Sequence, residues 1–215
     1  MSAPLILAIE SATSCVGCAL GTVDGVLAAT HTVQARRHAE SLAPQIQSVL
    51  AEAGRNVRDI ELVAVDVGPG LYTGLRVGIT TARAMAHTLG VPMVAVTSLE
   101  AVAWQAGADV TVAIDARRGE VFHETFTAGV GSGPAVGPPL DAVAPGRTVV
   151  GDGAEVYESQ MLESGAMVDH AVTGYPVPES ILALAAGRAH EACDPVGIQP
   201  LYLRAPDAVA KFGTA

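Results

Sequence analysis

Apolar and polar positions follow two periods along the first hundred residues. Leu5 to Glu10 is a short unbroken apolar run closed by an acid, the pattern of a buried strand. A hydroxyl-rich turn, Ser11 to Ser14, leads into a second strand from Cys15 to Leu20, and Asp24-Gly25 is a hairpin signal before a third strand from Val26 to Val33. The period then lengthens. Ala39, Leu42, Ala43, Ile46, Val49, Leu50 and Ala53 recur at three- and four-residue intervals, which predicts an amphipathic helix stopping at Gly54. Pro44 is expected to kink it or to mark where its regular part begins. Ile60 to Val67 predicts a further buried strand. It runs through Gly68-Pro69-Gly70 into a helix from about Thr73 to Leu89, on which Gly74, Gly78, Ala82 and Ala86 form a ridge of small side chains suited to close packing. Pro92 to Val96 is another strand, and Ser98 starts a short helix.

The second half begins as the first does. Val110 to Asp115 repeats the pattern of Leu5 to Glu10, both containing Ala-Ile followed by an acid. Arg117-Arg118-Gly119-Glu120 is the next turn and Val121 to Thr127 the next strand. Beyond it the repeat fades. Gly129 to Pro139 reads as a Gly/Pro-rich loop, Thr148 to Gly151 as a strand, and Glu179 to Ala192 as a helix after Pro178. Hairpins followed by crossover units describe mixed sheets with helices on their faces, in an α/β order shared by ribonuclease-H-like and actin-like ATPase domains. Two related lobes are expected, residues 1–108 and a shorter, degenerate 109–215.

Composition narrows the function classes. Half of the 215 residues are apolar but only 4% are aromatic, so the core is built from Ala, Val, Leu and Ile, and a disordered chain is excluded. The net charge of −10 argues against gripping nucleic acid unaided, because phosphate binding needs a cationic surface. No apolar run is long enough to span a membrane, and the first basic residue is Arg36, so no signal peptide is visible. With three cysteines and no disulfide framework, a cytoplasmic protein is expected. The single lysine, Lys211, makes a buried catalytic lysine implausible.

Each motif has a plain reading beside a chemical one. Gly68-Pro-Gly-Leu-Tyr-Thr-Gly74 could offer backbone N–H groups to an anion, yet its spacing fits neither standard phosphate loop, and a tight strand-to-helix turn explains it as well. Glu10 with Ser11, Thr13 and Ser14 stands where actin-like ATPases hold metal and phosphate, but without basic partners. Cys15-Val-Gly-Cys18 lies on a strand, so its thiols point to opposite faces and read as buried structural cysteines. No two histidines are three or four residues apart. Asp115, Arg117, Arg118 and Glu120 form a dense charged turn, either solvated ion pairs or part of a cleft between lobes.

Several segments together resemble one family: Leu7-Ala-Ile-Glu-Ser-Ala-Thr13, His38-Ala-Glu-Ser-Leu-Ala-Pro44, Asp59 through Gly68-Pro-Gly-Leu-Tyr-Thr-Gly-Leu-Arg-Val-Gly78, Val94-Ala-Val-Thr-Ser-Leu-Glu-Ala101, Asp115-Ala-Arg-Arg-Gly-Glu-Val121 and Pro200-Leu-Tyr-Leu-Arg204. They resemble the TsaB (YeaZ) family, subunits of the bacterial machinery that makes N6-threonylcarbamoyladenosine in tRNA. Glu10 stands where Asp is usual and Tyr72 where Phe is common. The resemblance implies an actin-like ATPase fold with a reduced second lobe. It also implies a non-catalytic platform for the related TsaD, with TsaE and ATP acting on the assembly, no cofactor in the isolated chain, and tRNA met only through the complex. The metal-binding histidines of TsaD fall here at Ser98 and Val102, which cannot replace imidazole. Pairing in the family uses the two first-lobe helices, for a TsaD heterodimer or a homodimer in isolation. That makes His38, Leu42, Ile46, Gly74, Arg76, Gly78, Ala82 and Arg83 interface candidates, with Glu10, Asp115, Arg117 and Arg118 as cleft candidates. The rival class is an enzyme on the same fold, a small-molecule kinase or an M22-type metallopeptidase.

Overall fold

The computed structural model describes residues 3–33, 38–143 and 146–204. Its first sheet has the order β3-β2-β1-β4-β5, formed by β1 (Ile6–Glu10), β2 (Cys15–Thr22), β3 (Gly25–Val33), β4 (Leu62–Asp66) and β5 (Met93–Val96). β1 pairs antiparallel with β2 and parallel with β4, bringing Ile9 opposite Val65. The apolar runs of β1 and β4 are continuous because helices cover both faces of the sheet. Alternate residues go to opposite sides. Leu7, Ile9, Val63 and Val65 pack with Leu42, Ile46 and Val49 of α1 (His38–Glu52) and Leu75, Ile79 and Ala82 of α2 (Tyr72–Leu89). Ile6, Ala8, Leu62 and Ala64 pack on the other side with Ile181, Leu182 and Ala185 of α6 (Pro178–Gly187).

The inward face of α1 is narrower than the sequence pattern predicts, since Ala43 is exposed, and the helix runs through Pro44. α2 ends where Gly90 takes a left-handed conformation, φ 69°, which only glycine adopts without cost.

The second sheet has the order β11-β10-β6-β7-β8, with β9 also on β7. Its central strand β6 (Val110–Arg117) pairs antiparallel with β7 (Glu120–Thr127) and parallel with β10 (Thr148–Val150), repeating the pairing of β1 with β2 and β4. The segment expected as loop after residue 129 instead forms two short edge strands, β8 (Val130–Gly131) and β9 (Ala135–Gly137), whose backbone groups complete the free edge of β7. The small helices α4 (Asp152–Val156) and α5 (Glu158–Glu163) and the strand β11 (Met167–Val168) close that lobe.

Helix α3 (Ser98–Ala106) lies between the two cores. Leu99, Val102 and Ala103 join Val110, Val112, Ile114, Phe122 and Phe126, while Ala101 joins the α6 side of the first sheet. Thr97 and Glu100 cap it reciprocally. The helix predicted over 179–192 ends earlier, at Gly187, and a short 3-10 turn over 189–191 follows. It comes from the second half of the chain yet covers the first sheet.

Candidate functional site

The parallel pairing of β1 with β4 ends two adjacent strands in acids, and Glu10 and Asp66 are both buried. Each closes its own turn. One oxygen of Glu10 (Oε1) accepts from the backbone N–H of Ala12 (2.9 Å) and Thr13 (3.2 Å) and from the Thr13 hydroxyl (3.3 Å). Asp66 Oδ1 accepts from the Gly68 N–H (2.6 Å) and from the Ser98 hydroxyl (2.8 Å). The other two oxygens, Glu10 Oε2 and Asp66 Oδ2, have no conventional donor. The two carboxyls face each other and hydrogen-bond one another. Burial pushes the Glu10 carboxyl well above the ordinary range, and the neighbouring Asp66 charge and their mutual hydrogen bond add to it. Asp66 is raised chiefly by burial, opposed by the hydrogen bonds it accepts. Both carboxyls are thus pushed toward the protonated form, and two acids this close favour holding a proton in common.

This pair occupies the place where actin-like ATPases hold metal and phosphate, the turn at which Glu10 was named as a cleft candidate. Leu71 N–H donates to the Ala12 carbonyl, fastening the Gly68–Gly70 turn to the Ser11–Ser14 turn. Ser98, one of the two positions compared with metal-binding histidines, hydrogen-bonds Asp66, and Val102 lies in the core between the lobes. Among the described residues no three His, Cys, Asp or Glu side chains converge as metal ligands. Cys15 and Cys18 are buried free thiols. Burial raises both, Cys18 to about 12, so neither is a thiolate at neutral pH.

The second-lobe cleft candidates form a separate cluster. Arg117 (φ 63°) and Arg118 (φ 60°) take left-handed conformations in the turn from β6 to β7, and both are exposed. Arg117 pairs with Asp115 at 2.9 Å, and the Asp115 N–H donates to Asp152. Burial raises Asp152 to about 6. Asp66 and Asp152, which sequence reasoning passed over, have comparable places: Asp66 ends β4 and Asp152 opens α4 just after β10, the strands that pair parallel with the Ala-Ile-acid strands of their lobes.

The interface candidates divide. Leu42, Ile46, Gly74, Gly78 and Ala82 are buried in the chain's own core, so they are not available to a partner. The reason is visible at Gly78. The Ser11 hydroxyl donates to the Gly74 carbonyl (2.8 Å), and a Cβ at Gly78 would collide with that same oxygen. The small-residue ridge lets α2 lie on the β1–β2 turn. The side chain of His38 lies outside the described residues. Arg76 is exposed and Arg83 half-buried on the outer side of α2.

At the start of that outer face, Tyr72 stacks on Tyr202, with ring centroids 5.3 Å apart and planes at 28°. The Arg76 guanidinium sits 4.3 Å above the Tyr72 ring and its Nε donates to the Tyr202 hydroxyl at 3.4 Å. The segment from Pro200 to Arg204 is thus anchored on α2, aided by the Leu201 N–H donating to Val67 O (2.7 Å) and by the Arg204–Glu120 ion pair. The exposed tyrosines were missed by sequence reasoning, which weighed helix periodicity and left Tyr72 in a glycine turn.

Residues 25–186 match the family described as "TsaD: tRNA N6-adenosine threonylcarbamoyltransferase". The chain belongs to this family. Within it, the chain is 29% identical to the tRNA threonylcarbamoyladenosine biosynthesis protein TsaB of Bacillus subtilis, over 96% of this chain and 97% of that one. It is 37% identical to an uncharacterized protein of Mycobacterium leprae, covering 95% of this chain and 56% of the other. The solved YeaZ of Pseudomonas aeruginosa superposes with a TM-score of 0.81 at 28% identity, over 93% of this chain and 100% of that one. The two-lobed α/β fold expected from the resemblance is therefore the fold of this family member, and it is the TsaB relatives whose length it shares. Among the described residues, no helix is long and apolar enough to cross a membrane.

Proposed function

We propose that this chain is a non-catalytic, cytoplasmic subunit in the biosynthesis of tRNA threonylcarbamoyladenosine, holding a TsaD-type catalytic partner through the outer faces of α1 and α2. The relationship to TsaB over nearly the whole of both chains carries the reading. The geometry supports it from the other side. Glu10 and Asp66 lie buried side by side, each with one oxygen already accepting hydrogen bonds within its own turn, so a phosphate at this place would meet two acids. On this reading ATP and TsaE act on the assembly, tRNA is met through the complex because the chain carries −10, and the isolated chain pairs with itself through the face it offers TsaD. Reconstitution tests it. A TsaD-type enzyme with its other components should modify tRNA over many turnovers only when this chain is present, and equal turnover without it would end the proposal.

The docking face has its own test. Arg76→Glu removes the cation over Tyr72 and the hydrogen bond to Tyr202 at an exposed site, so the fold should lose about 0.5–1 kcal/mol and remain native. Affinity for the TsaD-type partner, measured by titration calorimetry, should fall at least about tenfold. Unchanged affinity would move the interface elsewhere.

A further inference from the structure

A cavity of about 530 Å³ opens on the side of the molecule formed by α3, α6 and the β7–β8 edge, with no residue of the carboxyl pair or of α2 in its lining. Its size is within the usual range for small-ligand sites. Trp104, Phe126 and Leu184 give it an apolar wall. Trp104 is the chain's single tryptophan and is 53% exposed there, although a ring of that size is ordinarily covered.

An acid stands among these apolar groups. On β7, Phe122, Glu124 and Phe126 share the face turned toward the core between the lobes, where alternation calls for a third apolar side chain. Glu124 is instead 6% exposed and lines the cavity. The backbone makes room for it: a Cβ on Gly131 of the paired strand β8 would collide with its carboxylate. Its protein contacts are few. Oε1 accepts from the Gly133 N–H (3.0 Å), and no cation among the described residues pairs with it. The other acid of the cavity differs. Glu100 is held by Arg188 at 2.7 Å and accepts from the Thr97 N–H and hydroxyl, so its charge is already matched. Burial raises Glu124, with Glu100 adding repulsion, whereas the hydrogen bonds and charge of Arg188 and Thr97 outweigh burial and keep Glu100 lowered. A buried carboxylate without a cation is costly, and a cation from outside would offset that cost.

We propose that this cavity binds a small organic cation, an ammonium or amidinium on a flat apolar body, with the charge at Glu124 and the body against Trp104 and Phe126. The aromatic wall favours a cation through its ring faces as well as by burial of the apolar part. Nothing in this depends on the role proposed for the chain in tRNA modification.

The test uses the whole chain and benzamidine as the probe, with benzamide as its neutral counterpart of the same shape. Trp104 is the single tryptophan, so intrinsic tryptophan emission reads this cavity alone. Benzamidine should change that emission saturably, with a dissociation constant of about 1 mM or tighter. Benzamide should bind at least about tenfold more weakly, and Glu124→Gln should weaken benzamidine by a similar factor while leaving benzamide unchanged. A thermal melt establishes whether Glu124→Gln folds. If it does not, the amidine-to-amide ratio on the unaltered chain still decides. Equal binding of both probes would reduce the site to an apolar hollow and overturn the proposal, as would the absence of saturation by benzamidine.

Discussion

Gly78→Arg is expected to unfold the first lobe rather than to detach a partner. Gly78 faces inward, and even a Cβ there would meet the Ser11 hydroxyl oxygen. An arginine would also carry a charge into the packed contact between α2 and the β1–β2 turn, with no acceptor prepared for it. Overpacking and an unpaired buried charge are two of the few mechanisms that cost more than about 4 kcal/mol, and together they rival the about 5–15 kcal/mol that holds an ordinary domain folded. Circular dichroism should show loss of helix signal at room temperature. A native spectrum would mean the helix can lift away from Ser11.

A milder series locates the cause. Gly78→Ala gains up to about 1 kcal/mol of helix propensity but loses more to the collision and to the disturbed Ser11–Gly74 hydrogen bond. It should be destabilising by about 1–3 kcal/mol in a denaturant titration. With Ser11→Ala also present, the nearest remaining neighbours of the new methyl are Ser11's own Cβ position at 3.4 Å and Ile9 Cγ2 at 3.7 Å, ordinary contacts. The double variant should then be more stable than Ser11→Ala alone. Strictly additive effects would show that the hydroxyl is not what Gly78 accommodates.

The same helix shows how far the sequence was readable. Its periodicity placed Gly74, Gly78 and Ala82 on one face and Arg76 and Arg83 on another, and the structure keeps that division. Periodicity states that a small-residue face packs closely and leaves open against what. The chain's own turn takes it, so residues expected at an interface are core. The lobe repeat was legible in the Ala-Ile-acid echo because buried strands announce themselves as apolar runs. Asp66 and Asp152 were not, since neither belongs to a local motif: Asp66 comes beside Glu10 only through the register of β1 with β4, and Asp152 meets β6 only through the hydrogen bond from the Asp115 N–H. Tyr72 and Tyr202 are far apart in sequence, and no local pattern connects residues separated by a whole lobe. Glu124 did leave a signal, an acid between two phenylalanines at strand spacing, which naming Val121 to Thr127 only as a strand passed over.

Glu10 should tolerate one substitution and not another, and the difference identifies its proton. Glu10→Ala removes the acceptor for two backbone N–H groups and a hydroxyl in a closed turn, leaves Asp66 without its donor, and opens a cavity. A loss of about 3–5 kcal/mol is expected. Glu10→Gln keeps both functions: its carbonyl oxygen accepts from Ala12 and Thr13, and its amide donates permanently to Asp66. Its stability relative to the native chain should depend on pH in a determined direction. In the unfolded chain Glu10 releases its proton near the ordinary value of 4.5, whereas the folded chain keeps it to a much higher pH. The stabilisation from the held proton is complete below 4.5 and is lost as pH rises toward the folded value, at no more than about 1.4 kcal/mol per pH unit. Glutamine has no proton to lose, so the advantage of Glu10→Gln over the native chain should grow from pH 5 to pH 8. Glu100 also bears on Asp66 and is common to both chains, as are the titrations of Asp152 and His123, so the difference between the two denaturation curves reports the proton of the coupled Glu10–Asp66 pair. A difference that stays flat across this range would mean that the two carboxyls do not share a proton.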